Sequence, residues 1–355
     1  MNDRSREAAS GAGAKDVQQA PGDSGEDRFI ADYFAPIAGP GSLGLRDDAA
    51  LVDVPENMQL VATVDTLVAG VHFFDGDPAG AIARKALRVN LSDLAAKGAD
   101  PAGFLLSFAM PADENAASRS PVWLGAFAQA LGDDARNYNC PLLGGDTVST
   151  PGPLCLSVTA FGLAPKGAMA LRSGAETGDR IYVSGTIGDA AIGLQVLLQS
   201  QEKWVADLGD VHAEFLVQRY REPQPRNALA TAVRKWANGS MDVSDGLAGD
   251  LAKMMRVSGA SARVQLADAP LSEAARAAIA LNPALLDTAL TGGDDYEIAC
   301  TIAPTDTGAF EAAARDAGIA VTYIGDVTAH AQDDVVFLDQ DERPRVFARG
   351  SWTHI

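Results

Sequence analysis

The chain predicts two domains of α+β or α/β sandwich type, and three observations carry that prediction. Its 355 residues, 47% of them hydrophobic, can bury a large core and are more typical of two domains than one. Short runs rich in Val, Leu and Ile alternate with longer stretches whose apolar residues recur at helical spacing. The alternation pauses at a glycine-rich passage, residues 166–180, and then restarts.

Residues 1–26 contain no apolar stretch of the signal-peptide kind and read as a flexible tail. Order begins in EDRFIADYFAPIA, where Phe29, Ile30, Tyr33 and Phe34 fall at helical spacing. Residues 47–54 (DDAALVDV) and 58–73 (MQLVATVDTLVAGVHF) read as strands on either side of a turn-like PEN. Residues 78–101 form the clearest helix, with Ile82, Leu87, Leu91 and Leu94 on one face and Gly98 and Pro101 as stop signals. A strand (102–111), a helix (120–139), a short strand ending in glycines (140–147) and a strand (152–165) complete a first domain over residues 27–165. The second, residues 166–355, opens with strand IYVSG and helix DAAIGLQVLLQS, followed by a helical stretch and a linker through EFLVQRYREPQP. Residues 239–259 place a helix after an Asp-rich loop. ARVQLAD and DYEIACTI read as strands, and helix DTGAFEAAARDAGI precedes strand VTYIGDV.

Lys and Arg total 28 against 47 Asp and Glu, a formal charge of −19, which argues against nucleic acid or an anionic membrane surface as partner. No run approaches the roughly 18 apolar residues of a membrane span. Cys140, Cys155 and Cys300 stand far apart and cannot pair completely, which favours a reducing cytoplasm.

The carboxylates recur in one kind of place. Asp48 opens an expected strand, while Asp65, Asp146, Asp242 and Asp294 stand at the ends of others. Gly144-Gly145-Asp146 and Gly292-Gly293-Asp294 repeat one local form, as though related units sat in the two halves, and glycine pairs let backbone approach a ligand. Taken singly, Asp beside Gly is ordinary turn chemistry, and Asp245-Gly246 alone would suit a hairpin or a helix N-cap. Six or more such sites abutting strands are harder to read as turns. Two carboxylates about 4 Å apart repel by roughly 4 kcal/mol at an effective dielectric near 20, so a converging set needs cations. Hard oxygen donors favour Mg²⁺. Asp93 lies inside a helix, where a turn role does not apply; it is either a site residue or part of a solvated face with Arg84, Lys85 and Arg88. The four histidines form no zinc pattern, and no GxSxG elbow, Walker A loop or protein-kinase signature occurs. What remains is phosphate chemistry organised by magnesium ions on aspartates, with glycine-rich loops as anion cradles.

From about residue 26 onward the motifs VDTLVAGVHF, ALRVNLSDLAAKGADP, LLGGDT, LRSGA, DVSDGLAGDL and TGGDDYE occur in the order found in thiamine-monophosphate kinases. The chain resembles that family, within the wider aminoimidazole-ribotide synthetase-like superfamily. The resemblance implies an N-terminal ferredoxin-like sheet domain, a C-terminal αβ domain, and a homodimer formed through the N-terminal sheets. It implies transfer of the γ-phosphate of ATP to thiamine monophosphate, giving thiamine diphosphate. Carried onto this chain, the Mg²⁺ ligands are Asp48, Thr63, Val64 through its carbonyl, Asp65, Asp93, Asp146, Asp242 and Asp245. Gly145, Asp146, Arg172 and Ser244 contact ATP, and His72, Asp294 and Trp352 contact the acceptor. Asp93, Asp146, Asp242 and Arg172 carry the catalytic weight. Arg46, Val64 and Asp294 stand where the family usually has Gly, a hydroxyl residue and Glu. In TGGDDYEIACT, Asp294 is thus given to the substrate, leaving Asp295 and Glu297 to hold the loop or face solvent.

Overall fold

The computed structural model describes residues 25–347. The expected tail lies outside the described residues except for Gly25 and Glu26, which open the first helix; Trp352 also lies outside them. Helix α1 (Gly25–Phe29) runs on through a π turn (Ile30–Phe34) into a 3-10 turn (Ala35–Ile37). Pro36 in that last turn offers no N–H to a continuing helical ladder. Strand β1 (Met58–Val68), α2 (Ala79–Ala96), β2 (Asp100–Pro111), α3 (Pro121–Asn137), β3 (Leu142–Thr150) and β4 (Cys155–Pro165) follow. They form a four-stranded sheet of order β1-β4-β2-β3, in which β4 is antiparallel to both its neighbours and β2 is parallel to β3. Because β4 enters between β1 and β2, β1-α2-β2 is a split β-α-β unit. The chain order β-α-β-α-β-β and the parallel β2/β3 pair nevertheless depart from the β-α-β-β-α-β order of the expected ferredoxin-like sheet, because the second helix crosses over before β3 and returns that strand parallel to β2.

The strand expected over residues 47–54 is absent. Asp47 and Asp48 are exposed, Leu51 is 62% exposed, and no strand lies alongside, so the Val/Leu alternation has nothing to pair with. Asp48 therefore stands in a loop. On β1 the alternation is used: Val61, Thr63, Asp65 and Leu67 face the helices, while Ala62, Val64 and Thr66 face outward. The inner face packs Leu106, Phe108, Leu156 and Val158 against Leu87, Leu91, Phe127 and Leu131 of α2 and α3. Ser120 caps α3, accepting from Trp123 N at 3.2 Å, and Pro121 takes the first helical position.

The second half comprises β5 (Arg180–Ser184), α4 (Asp189–Leu198), α5 (Lys203–Leu208), α6 (Asp210–Arg221), α7 (Ala230–Trp236), β6 (Ala237–Val243), α8 (Leu247–Ser258), β7 (Ala260–Gln265), α9 (Glu273–Leu281), α10 (Leu285–Thr291), β8 (Glu297–Ile302), α11 (Thr307–Asp316), β9 (Val321–Ala329), β10 (Val335–Leu338) and β11 (Pro344–Arg345). Its seven-stranded sheet has the order β11-β10-β7-β9-β5-β8-β6 and carries packing on both faces. Ile298, Cys300 and Ile302 of β8 face one layer and Ala299 the other, which is why this strand reads as an unbroken apolar run.

Two expectations are corrected by packing. Residues 222–226 are no linker: the Pro223 carbonyl accepts from Arg88 Nη1 at 3.1 Å, and Arg226 is bound to Glu297. The two Gly-Gly-Asp triplets are not repeated units either, since Gly144–Asp146 lie within β3, whereas Asp294 sits in a loop with left-handed φ of 74°. Their glycines do serve close approach, but to protein: a Cβ on Gly145 would stand 1.9 Å from the Leu106 carbonyl, and one on Gly293 2.3 Å from that of Ser244.

Helix α2 joins the halves. Of its 18 residues, 15 are buried, because one side lies on the first sheet and the C-terminal alanines Ala95 and Ala96 enter the core of the second half. Arg84, Lys85 and Arg88 do not form a solvated face: Arg88 is buried and donates to both oxygens of buried Asp134, at 2.6 and 3.0 Å.

Candidate active site

A cleft of about 430 Å³ opens between the two halves, where the ends of β1 and β6 meet α2 and the 291–296 loop. Asp65 looks inward from β1 towards Asp93 on α2, and Thr63 Oγ1 donates to Asp93 Oδ2 at 2.5 Å. Asp242 stands near the end of β6, its carboxylate accepting from Ser92 Oγ at 3.1 Å. Beyond it, the turn into α8 is held by Asp250, a buried residue of the helix's first turn that accepts the backbone N–H of Ser244 at 3.0 Å and of Asp245 at 2.8 Å. Asp245 is bonded to Lys253, which also reaches Asp250 at 2.8 Å.

The 291–296 loop is clasped to β6 by Asp294 N on the Ser244 carbonyl at 2.9 Å and Tyr296 N on that of Val243 at 2.8 Å. Both residues adopt left-handed φ, 74° and 51°, a conformation costly for side chains with a Cβ and found where a site demands it. Asp294 faces the cleft and pairs with Lys85 Nζ at 3.1 Å. Its neighbours turn away. Asp295 is buried and accepts from the N–H groups of Gly188 at 2.7 Å and Ala190 at 3.4 Å, at the N-terminus of α4. Glu297 is buried against Ser184, Arg219 and Arg226. Both hold the protein together, and neither faces solvent.

The cleft thus gathers His72, Asp65, Asp93, Asp242, Ser244, Asp245 and Asp294. Asp48, Gly145 and Asp146 line a second cavity, of about 640 Å³, against the first sheet. In the strand register Asp146 pairs with Ser107, Ser107 with Ser157 and Ser157 with Thr66, so three strand spacings, roughly 14 Å, separate Asp146 from the strand carrying Asp65. One ion cannot bridge that gap. The Val64 side chain points outward, 60% exposed, and Arg46 and Arg172 are exposed. Arg172 lies close enough to Lys97 to depress its proton affinity, second to burial, while Asp242 and Asp93 oppose the change; a basic rim therefore borders the carboxylates.

Burial, then Asp93 and Asp245, push the Asp65 carboxyl up from 3.8 to about 6. Burial, then Asp93 and Asp250, raise Asp242 well above the carboxylate range. Among the described residues, no three His, Cys, Asp or Glu side chains are already arranged as a metal site. In the metal-free protein, the folded state keeps the Asp65 proton to higher pH than the unfolded chain does. The corresponding stabilisation is complete below about 4 and lost as pH rises through about 6. Thermal unfolding in EDTA is expected to show this fall, and Asp65→Asn to remove about 1–2 kcal/mol of it, a figure discounted for partial exposure. An identical pH profile for both proteins would contradict the assignment.

Sequence reasoning misses Tyr220 and Tyr296, which line the cleft, and Lys85, which is buried behind it against Asp294 and Tyr220. The signal for Lys85 was present: α2 is apolar or Ala-rich nearly all round, so a charge within it must be buried and paired.

Two αβ halves meeting at a carboxylate-lined cleft define a class, and residues 46–164 and 176–337 match its models, described as AIR synthase related protein, N-terminal domain and C-terminal domain. The chain is 40% identical to the thiamine-monophosphate kinase of Caulobacter vibrioides over 96% of its own length and 94% of that protein. It superposes with a TM-score of 0.77, at 37% identity, on the crystal structure of thiamine-monophosphate kinase from Stenotrophomonas maltophilia, covering 90% of this chain and 96% of that one. A further match, AaThiL complexed with AMPPCP and TMP, has a TM-score of 0.72 at 27% identity, covering 89% and 97%. The chain belongs to the thiamine-monophosphate kinase family of AIR synthase related proteins.

Proposed function

We propose that this protein transfers the γ-phosphate of ATP to thiamine monophosphate by direct in-line displacement, giving ADP and thiamine diphosphate, the last step of thiamine diphosphate synthesis. The observation that carries the reading is the cleft itself. Carboxylates and the apolar or aromatic side chains Val71, Leu194 and Tyr220 line it together, a surface suited to a cationic aromatic heterocycle bearing a phosphate. The acceptor atom is a phosphate oxygen, largely ionised at neutral pH, so no strong general base is needed; alignment and charge stabilisation suffice.

Magnesium suits the donor set: hard oxygens, of which those of Asp65 and Asp242 are raised in proton affinity first by burial and then by neighbouring carboxylates. Asp65, Asp93, Asp242 and Asp245 would hold ions in the cleft, and Asp48 and Asp146 in the second cavity, with Thr63 and the Val64 carbonyl beside Asp65. Bound there, the metal would draw charge off the transferred phosphoryl group. In this reading Gly145, Asp146, Arg172 and Ser244 contact ATP, while His72, Asp294 and Trp352 contact the acceptor. Residues 27–165 serve as nucleotide- and metal-binding domain and 166–355 as the domain carrying most acceptor contacts.

The outward sheet face supports a homodimer: Leu60 and Val64 are exposed there, beside half-buried Phe161 and Leu163 on the neighbouring strand. Light scattering is expected to give twice the 36.8 kDa chain mass, and Leu60→Glu with Val64→Glu to give monomers; a monomeric parent would refute the dimer. A cytoplasmic location suits three free cysteines, and among the described residues no helix is long and apolar enough to cross a membrane. The kinase reading is tested by ADP release: thiamine monophosphate should elicit it, with thiamine inert and EDTA abolishing it. ADP release indifferent to the acceptor would refute it.

A further inference from the structure

The least expected group near the cleft is a buried ammonium. Lys85 is 2% exposed in the middle of α2, and its Nζ meets three partners: Asp294 Oδ2 at 3.1 Å, the His72 carbonyl at 2.9 Å, and the face of Tyr220, with the ring centroid at 3.9 Å. All three partners belong to residues lining the cleft. Tyr220 is tied to the same point, its hydroxyl donating to the His72 carbonyl at 3.3 Å.

Burying an ammonium is costly unless it is paired, and here the pairing spans the two halves of the chain. Asp294 on its other side is also constrained: its backbone is held in the left-handed region and its N–H is bonded to the Ser244 carbonyl at 2.9 Å. Its surroundings are hostile to a carboxylate, since Asp65, Asp242 and Asp245 line the same cleft. Without a cation beside it, Asp294 would turn away from that field. An ordinary structural ion pair has no need of a strained loop or of partners confined to one cleft.

We propose that Lys85 is a positioning residue for the acceptor: it fixes the direction of the Asp294 carboxylate, and with it the seat of the phosphate monoester that receives the transferred group. The inference rests on the reading of Asp294 as an acceptor contact. Lys85 never touches the substrate; it acts through Asp294, with Tyr220 and the His72 carbonyl holding the ammonium in place.

Steady-state kinetics of Lys85→Met test this, with ATP and thiamine monophosphate varied separately. The KM for thiamine monophosphate should rise roughly 10- to 100-fold, the worth of one charge-assisted hydrogen bond, with the KM for ATP and kcat nearly unchanged. In an Asp294→Asn background the same substitution should add little, because the group it orients is already lost. Lys85→Arg keeps the charge and protects the fold while displacing the nitrogen; it should raise the same KM by a smaller factor. An unchanged acceptor KM in both variants, an equal rise for both substrates, or the full effect persisting on Asp294→Asn would each overturn the proposal. Parent protein unable to use thiamine monophosphate would instead overturn the kinase reading, and this inference with it.

Discussion

Asp93→Asn is expected to lower kcat by about three orders of magnitude while the protein stays folded. Asn has nearly the same shape and still offers an oxygen to Thr63 Oγ1, so the contact between β1 and α2 is kept. What it loses is charge. Asp93 appears among the groups raising the proton affinity of both Asp65 and Asp242, which places it centrally among the carboxylates proposed to hold metal. Circular dichroism and a thermal melt should match the parent, while ADP formation should all but vanish. Turnover within about ten-fold of the parent would remove Asp93 from the catalytic set.

The second large effect concerns stability. Glu297→Ala should destabilise the second half by about 3–5 kcal/mol, because it strands two guanidinium groups in the interior. Arg219 Nη2 donates to Glu297 Oε1 at 2.9 Å, Arg226 Nε to Oε2 at 2.6 Å, and Ser184 Oγ to Oε2 at 2.6 Å, with the Glu297 side chain fully buried. Differential scanning calorimetry should show a midpoint lower by roughly 10 °C. Glu297→Gln, which keeps the shape and one acceptor oxygen, should lie between the two proteins. A loss under about 1 kcal/mol for the alanine variant would mean that the arginines find other partners.

Both effects concern residues that the sequence exposes unequally. Strand β8 was legible because both its faces are buried, which leaves an apolar run without alternation. Asp93 was legible as a charge that no turn could explain. The burial of Lys85 and Arg88 is not legible, because Ile82, Leu87, Leu91 and Leu94 suggest a single apolar face and leave a solvated opposite face open as an alternative. Much of the remaining helix surface is covered by alanines, which fit against a neighbour without announcing it. Short helices such as α7 and α10 have too few residues for a period to register. The strand assigned to residues 47–54 failed for the opposite reason: its pattern suits a sheet, but pairing is non-local and no partner strand comes. Identical Gly-Gly-Asp triplets proved different because backbone conformation depends on what the chain meets, a strand at Gly145 and a turn beside Ser244 at Gly293. Glu297 finds Arg219 and Arg226 across 78 and 71 residues, a pairing that local spacing does not encode. The same limit hid the division of the aspartates between two cavities, which follows from strand order.

The most direct test follows the phosphate. Protein mixed with γ-labelled ATP, Mg²⁺ and thiamine monophosphate should, on rapid quenching, yield labelled thiamine diphosphate in equal amount to ADP, with none of the label on the protein. Label retained on the chain, or released as free phosphate with the acceptor untouched, would contradict direct transfer in this cleft.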